Sequence, residues 1–210
     1  MSEWWTYRPS DFLLFSARTY HRLFERYNAE TWPVHLLACA LALALAWLLI
    51  RRASAPRTAR AACALLAAAW LWIAWAFHLQ RYADINWAAV WFAAAYALQG
   101  LLLLLAAACD WRRQPGPRDT IGLALFGAAL FIQPWLTVVL SGRPWREIEL
   151  FGLAPDPTAL GTIGLLLVLR PARASGAART LHAALWPVPL LWCLIGAMTR
   201  WTLHAQGQGG

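Results

Sequence analysis

The sequence contains no lysine: all 18 basic residues are arginine. Charge of either sign is scarce, at 13% of 210 residues, against ~25% in ordinary soluble domains. That scarcity, with 60% hydrophobic residues and a mean hydropathy of +0.47, excludes an ordinary soluble domain and places the chain in the membrane class. Cysteine is also sparse. Cys39, Cys63, Cys109 and Cys193 fall in or beside apolar runs and form no CxxC pair, so neither a zinc site nor a redox pair is signalled. No GxSxG, HExxH, Walker loop or GxGxxG appears, which removes the common catalytic signatures. The first residues show no basic n-region followed by an apolar core and a small-residue cleavage site, so no removable signal peptide is expected.

The net charge of +8 invites a nucleic-acid reading, but the arginines sit in short clusters between apolar runs. That is the pattern of membrane orientation signals. No basic stripe is interleaved with aromatics on a polar background, so no nucleic-acid partner is expected. The expected partners are the lipid bilayer and either other membrane subunits or further copies of the chain.

The apolar runs predict an all-α polytopic membrane helix bundle. Residues 1–31 form an N-terminal amphipathic interfacial arm, 32–203 a six-span transmembrane domain and 204–210 a disordered tail. In the arm, Ser10 is placed to cap a helix over 10–28. Phe12, Leu13, Tyr20, Leu23, Phe24 and Tyr27 line one face and Arg18, Arg22, Glu25 and Arg26 the other. This pattern predicts a helix lying in the membrane interface, either as a simple anchor or as a lid over a pocket. Trp4, Trp5 and Tyr7 fit the headgroup level.

The spans are expected near 32–50, 61–79, 87–109, 121–140, a short or discontinuous fifth ending at Arg170, and 180–203. Ala38, Ala42 and Ala46 form a small-residue stripe suited to close helix approach. Strands are not expected, because an open sheet edge cannot be satisfied in lipid. The first, third and fifth loops hold ten arginines and the second and fourth hold three. The asymmetry predicts a multi-pass protein of the cytoplasmic (inner) membrane with the odd loops in the cytoplasm and both termini outside.

Three stretches, SEWWTYRPSDFLLF, LQRYADINWAA and the run FGLAPDPTALGTIGLLL, together resemble a bacterial integral-membrane family catalogued as domain of unknown function 6064. The resemblance covers Ser2 to about Trp201 and implies a bacterial multi-span protein, with no activity attached.

The fifth segment carries the sharpest functional expectation. Its apolar run from Pro157 to Leu169 is roughly 20 Å long as a helix, against a bilayer core of ~30 Å. A half-helix that starts inside the membrane would bring Asp156 with it, and such starts form substrate sites in transporters. Asp156-Pro157 has the form of a cap followed by Pro at the first helical position. The carboxylate is then expected on the N–H groups of Thr158 and Ala159, with Arg200 or Gln133 across a cavity. The candidate ligand-binding set on the outer side is Asp156, Thr158, Gln133, Arg200, His78 and Arg81. No catalytic residue and no cofactor are assigned. A haem or metal site is a weak alternative, drawing on His35, Cys39, His78 and His204.

Fifteen tryptophans, an unusual number, divide by position. Trp32, Trp87, Trp145 and Trp201 suit an outer aromatic belt and Trp47 and Trp111 an inner one. Trp70, Trp72, Trp75, Trp91, Trp135, Trp186 and Trp192 lie deeper and suit packing.

Three functions are compatible with this sequence. The first is a small-solute permease or ligand-binding membrane protein with an outward-facing polar site. The second is an accessory or assembly subunit of a larger membrane complex. The third is a membrane enzyme acting on lipid head groups, with Arg81, Arg143 and Arg146 holding phosphate and His78 or Asp156 as acid or base.

Overall fold

The computed structural model describes residues 15–51, 55–140, 142–172 and 175–208. Ser10, Phe12 and Leu13, the Trp4, Trp5 and Tyr7 group, Arg52, Arg173 and the last two residues of the tail lie outside them. The described chain is almost wholly helical. Helix α1 is Ala17–Thr31 and α2 is Val34–Arg51. α3 runs Pro56–Trp72 and continues through a π-helical segment, Ile73–Leu79, and α4 is Ala89–Ala107. α5 starts as Pro117–Gly127 and continues, with π-helical stretches, to residue 140. α6 is Pro155–Val168, α7 is Gly176–Ala184 and α8 is Pro187–Gln208. Val34–Arg51, Arg57–Asp84, Ala89–Ala107 and Gly176–His204 are each long and apolar enough to cross a membrane. The last of these is α7 and α8 read as one pass, bent before Pro187, which has no N–H to continue the helix.

α3 packs along α4 and α5 along α6. Glycine permits the second pairing. A Cβ on Gly122 would lie 2.6 Å from the Gly164 carbonyl oxygen, and one on Gly164 equally close to that of Gly122. This is small-residue packing between lipid-embedded helices, and it accounts for the Gly161-Thr162-Ile163-Gly164 stretch. The alanine stripe of α2 behaves otherwise. It is only partly covered: Ala42 is buried and Ala38 and Ala46 half-buried, and Ala38 and Ala42 line a gap between α2 and α3.

One departure from the sequence expectation is a two-stranded antiparallel ladder. β1, Trp111–Arg113, pairs with β2, Leu169–Pro171, with Arg112 opposite Arg170. The lipid argument against strands applies within the hydrocarbon core, whereas this ladder joins two loops at one end of the bundle. Arg60 reaches Asp110 at the same end at 2.8 Å, and Arg113 reaches both Asp119 and the Leu49 carbonyl. The three arginine-rich loops are thereby gathered on one face. Trp111, expected in an aromatic belt, is buried there and donates to the Ala106 carbonyl at 2.6 Å.

The opposite end is closed by α1. Ser16 caps the helix, accepting from the Thr19 N–H at 3.2 Å. Phe24, Tyr27 and Thr31 are buried while Arg18, Arg22 and Arg26 stay exposed, so the amphipathic pattern holds. The apolar face, however, meets protein. Phe24 packs on Phe77, Tyr27 donates to the Leu153 carbonyl at 3.0 Å, and Asn28 donates to the carbonyls of Arg146 and Ile148. α1 thus lies over the loop that leads into α6.

Candidate ligand site

α6 has 14 residues and so rises only about 21 Å from β2 at the arginine-rich face. Its first turn, Pro155 to Ala159, is buried throughout. The loop ahead of it turns at Gly142 and Gly152, both at positive φ, 61° and 85°, a backbone region glycine enters without penalty. α1 covers this loop, so the start of the short helix α6 is sheltered by protein.

Asp156 does not cap that start. The N-cap is Ala154, which offers no side chain, and Asp156 stands inside the first turn. Pro155 and Pro157 supply no N–H, which reduces the number of donors needing a cap. Thr158 takes over the local bonding, donating to the Ala154 carbonyl at 2.7 Å and accepting from the Gly152 N–H at 2.8 Å. Thr158 is therefore structural, fully buried and outside the cavity wall. The Asp156 carboxylate is released to point away from its own helix. Oδ1 accepts from the Trp192 indole at 2.7 Å, and Oδ2 accepts from Arg200. The positive end of the α6 dipole adds to the attraction of this turn for a negative charge.

α8 is shaped to receive the carboxylate. Trp192, Gly196 and Arg200 recur every four residues and so share one face. A Cβ on Gly196 would lie 2.7 Å from Oδ1, so only glycine leaves room. Asp156, Arg200 and Gln133 then line one cavity of about 390 Å³, with Ala128, Ile132, Leu136, Leu160 and Cys193 as its other walls. Gln133 enters from α5 where an α-helical turn, Gln133–Trp135, is flanked by the π-helical stretches Ala128–Ile132 and Leu136–Leu140. Pro134 lacks an N–H and crowds the preceding turn, and widening the helix accommodates it. The Gln133 Oε1 is buried and has no hydrogen-bond partner among the described residues.

The other two members of the candidate set lie elsewhere. His78 is fully buried among Tyr96, Phe92 and Trp192, the last at a ring distance of 5.0 Å, one side chain behind the Asp156 carboxylate. Arg81 is on the far side of α3. It holds Glu30 with Nε and Nη2, donates to the Ala76 carbonyl and lies 5.0 Å over the Tyr27 ring. The weak metal set does not assemble: among the described residues no three His, Cys, Asp or Glu side chains converge. His35 Nε2 is 3.2 Å from Asn28 Oδ1, and Cys39 and His204 are exposed. The three arginines weighed as phosphate holders are also dispersed. Arg146 is exposed near Glu25, and Arg143 is buried between Glu147, at 3.0 Å, and Glu149, at 2.9 Å.

Glu149 is a residue that sequence reasoning passed over. It lies in the covering loop, 2% exposed. Burial raises its pKa to about 7, with the Asp156 charge adding to the rise and Arg143 opposing it. Trp192 and Gly196 were also missed as site residues. The signal that could have found them is their four-residue spacing to Arg200.

Several deep tryptophans are exposed on the outer surface, namely Trp75, Trp91 and Trp135, as are Trp32, Trp87, Trp145, Trp201 and Trp47 of the expected belts. Trp70 and Trp192 are buried, as the packing expectation has it, and Trp70 donates to Thr162 at 2.9 Å.

No curated protein and no solved structure matches the chain. The model of a family of unknown function, DUF6064, matches residues 17–206, which include α1, α6 and every wall of the cavity. The chain belongs to that family.

Proposed function

We propose that this is a ligand-binding membrane protein, and by extension a small-solute permease, whose site is the cavity of Asp156, Arg200 and Gln133. The observation that carries the reading is the buried Asp156 carboxylate at a sheltered helix start, in the wall of a cavity also lined by Gln133, whose buried amide oxygen has no hydrogen-bond partner among the described residues. The volume falls in the range of small-molecule sites, ~300–1,000 Å³. Asp156 and Arg200 neutralise one another, so the ligand needs no net charge. Gln133 Oε1 asks for a donor and the remaining Arg200 N–H groups ask for an acceptor, while Ile132, Leu136 and Leu160 favour an apolar body. A neutral or zwitterionic organic solute satisfies all three. The arginine asymmetry supports a bacterial inner membrane with this site facing outward.

The test is a thermal-shift screen in detergent against amino acids, primary amides and simple inorganic ions. A neutral or zwitterionic organic solute should stabilise the protein, and the shift should vanish in Gln133→Leu and Arg200→Ala. Stabilisation by inorganic ions alone, or an organic shift retained in both variants, would refute the reading.

A further inference from the structure

A second pair of cavities lies on the other side of α3 and shares no wall with the first. One, about 360 Å³, is polar on one side and aromatic on the other: Glu30, Gln80 and Arg81 face Trp32, Trp72 and Trp75. It opens beside a second, about 200 Å³, which runs between α2 and α3 and is walled by apolar side chains from Val34 to Leu45 on α2 and by Leu65, Ala68 and Ala69 on α3. Val34 and Trp72 line both, so the two adjoin.

We infer that this pair is a binding site for a zwitterionic amine phospholipid, its head group in the polar cavity and one acyl chain in the apolar groove. Several independent features fit that occupant. The groove follows α2 for about 16 Å at ~1.5 Å per residue, and one leaflet of the hydrocarbon core is about half of ~30 Å. The polar cavity lies at the end of the bundle where the amphipathic α1 turns into α2, which is where a head group belongs.

Its chemistry also divides as such a head group does. Glu30 is half-exposed and Trp72 and Trp75 meet edge to face at 5.9 Å. With Trp32 they offer an ammonium both a carboxylate and indole faces. Arg81 uses three of its five N–H donors on Glu30 and Ala76, which leaves two for a phosphate. Glu30 is held ionised, its pKa lowered by hydrogen bonds from Arg26 and Arg81. A lipid with an anionic head group would leave the Glu30 carboxylate facing like charge.

The experiment equilibrates the full chain in detergent with equimolar dioleoyl phosphatidylethanolamine and dioleoyl phosphatidylglycerol and counts retained lipid by native mass spectrometry. The wild type should retain the ethanolamine lipid in about fivefold preference, the scale of one solvent-exposed cation–aromatic contact of about 1 kcal/mol. Glu30→Gln should reverse the preference toward the glycerol lipid, since Arg81 then stands without its acid. Ala68→Phe, at an exposed position on the groove wall, should lower retention of both while leaving the unfolding temperature unchanged. Soluble glycerophosphoethanolamine should not displace the lipid, because it has no chain for the groove. Equal retention of the two lipids by the wild type, an unchanged preference in Glu30→Gln, undiminished retention in Ala68→Phe, or full displacement by the soluble head group would each overturn the assignment.

Discussion

The two ends of the bundle use arginine in opposite ways. At the arginine-rich end Arg113 closes over the buried Asp119, whereas the Arg60–Asp110 pair is open to solvent, both partners about half exposed. Pairs of that kind contribute about 0–1 kcal/mol. At the other end Arg143 is enclosed with Glu147 and Glu149, each no more than 10% exposed, and Asp156 is buried against Trp192 and half-exposed Arg200. The difference teaches that charge count does not locate a site here. At one end arginines fasten the loops to one another, and at the other a few enclosed carboxylates build structure and a candidate pocket.

The comparison breaks most visibly at Arg143. Arg143→Ala strands two buried glutamates and should cost about 3–5 kcal/mol, the scale for uncovering a buried charge. Thermal unfolding in detergent would read the loss as a large drop in midpoint. A midpoint near that of the wild type would mean that the enclosed cluster is no more than a surface pair.

Asp156 should rank next. Asp156→Ala leaves the buried Trp192 N–H unpaired, a loss of about 1–3 kcal/mol. Asp156→Asn keeps an acceptor for Trp192 and should lose less. Because the side chain does not cap α6, the two variants should retain equal helix content by circular dichroism. Fraying of α6 in the alanine variant alone would restore the capping role.

Glu149 supplies a pH test. Its pKa is raised in the folded state, to about 7, above the ordinary ~4.3 of an unfolded glutamate. The folded state therefore binds the proton more tightly, and the associated stability is fully present below the unfolded value and lost as pH rises through about 7. The wild type should melt at a higher temperature at pH 5 than at pH 8, and Glu149→Gln should flatten that dependence. A slope of opposite sign, or one unchanged in Glu149→Gln, would contradict the assignment. Smallest of all, Arg60→Ala should change stability by less than about 1 kcal/mol, within the scatter of a melting curve.

The sequence made the architecture legible because lipid demands long apolar runs, and these have an unambiguous length. It also placed Asp156, Gln133 and Arg200 in one site, since polar groups inside apolar runs are rare enough to pair by elimination. What it concealed was direction. Asp156-Pro157 has the letters of a cap, yet Pro155 starts the helix earlier and Thr158 does the bonding, which turns the carboxylate toward α8. Trp192 and Gly196 were hidden because an indole and a glycine in an apolar helix read as packing. The β1–β2 ladder was missed because it involves loop residues, where hydrophobic periodicity carries no signal. The apolar stripe of α1 was legible as a stripe, but periodicity does not say whether lipid or protein covers it.

Cys193 tests the central claim directly, because it lines the cavity with Asp156 and Arg200. A variant retaining Cys193 alone, through Cys39→Ala, Cys63→Ala and Cys109→Ala, would be treated with a small charged methanethiosulfonate and, separately, with a lipophilic maleimide. A ligand site open to water predicts that the charged reagent modifies Cys193 and that Ala128→Trp, on the facing wall, blocks it. Reaction with the lipophilic reagent alone would show a cavity open only to lipid, and the proposed solute site would fall.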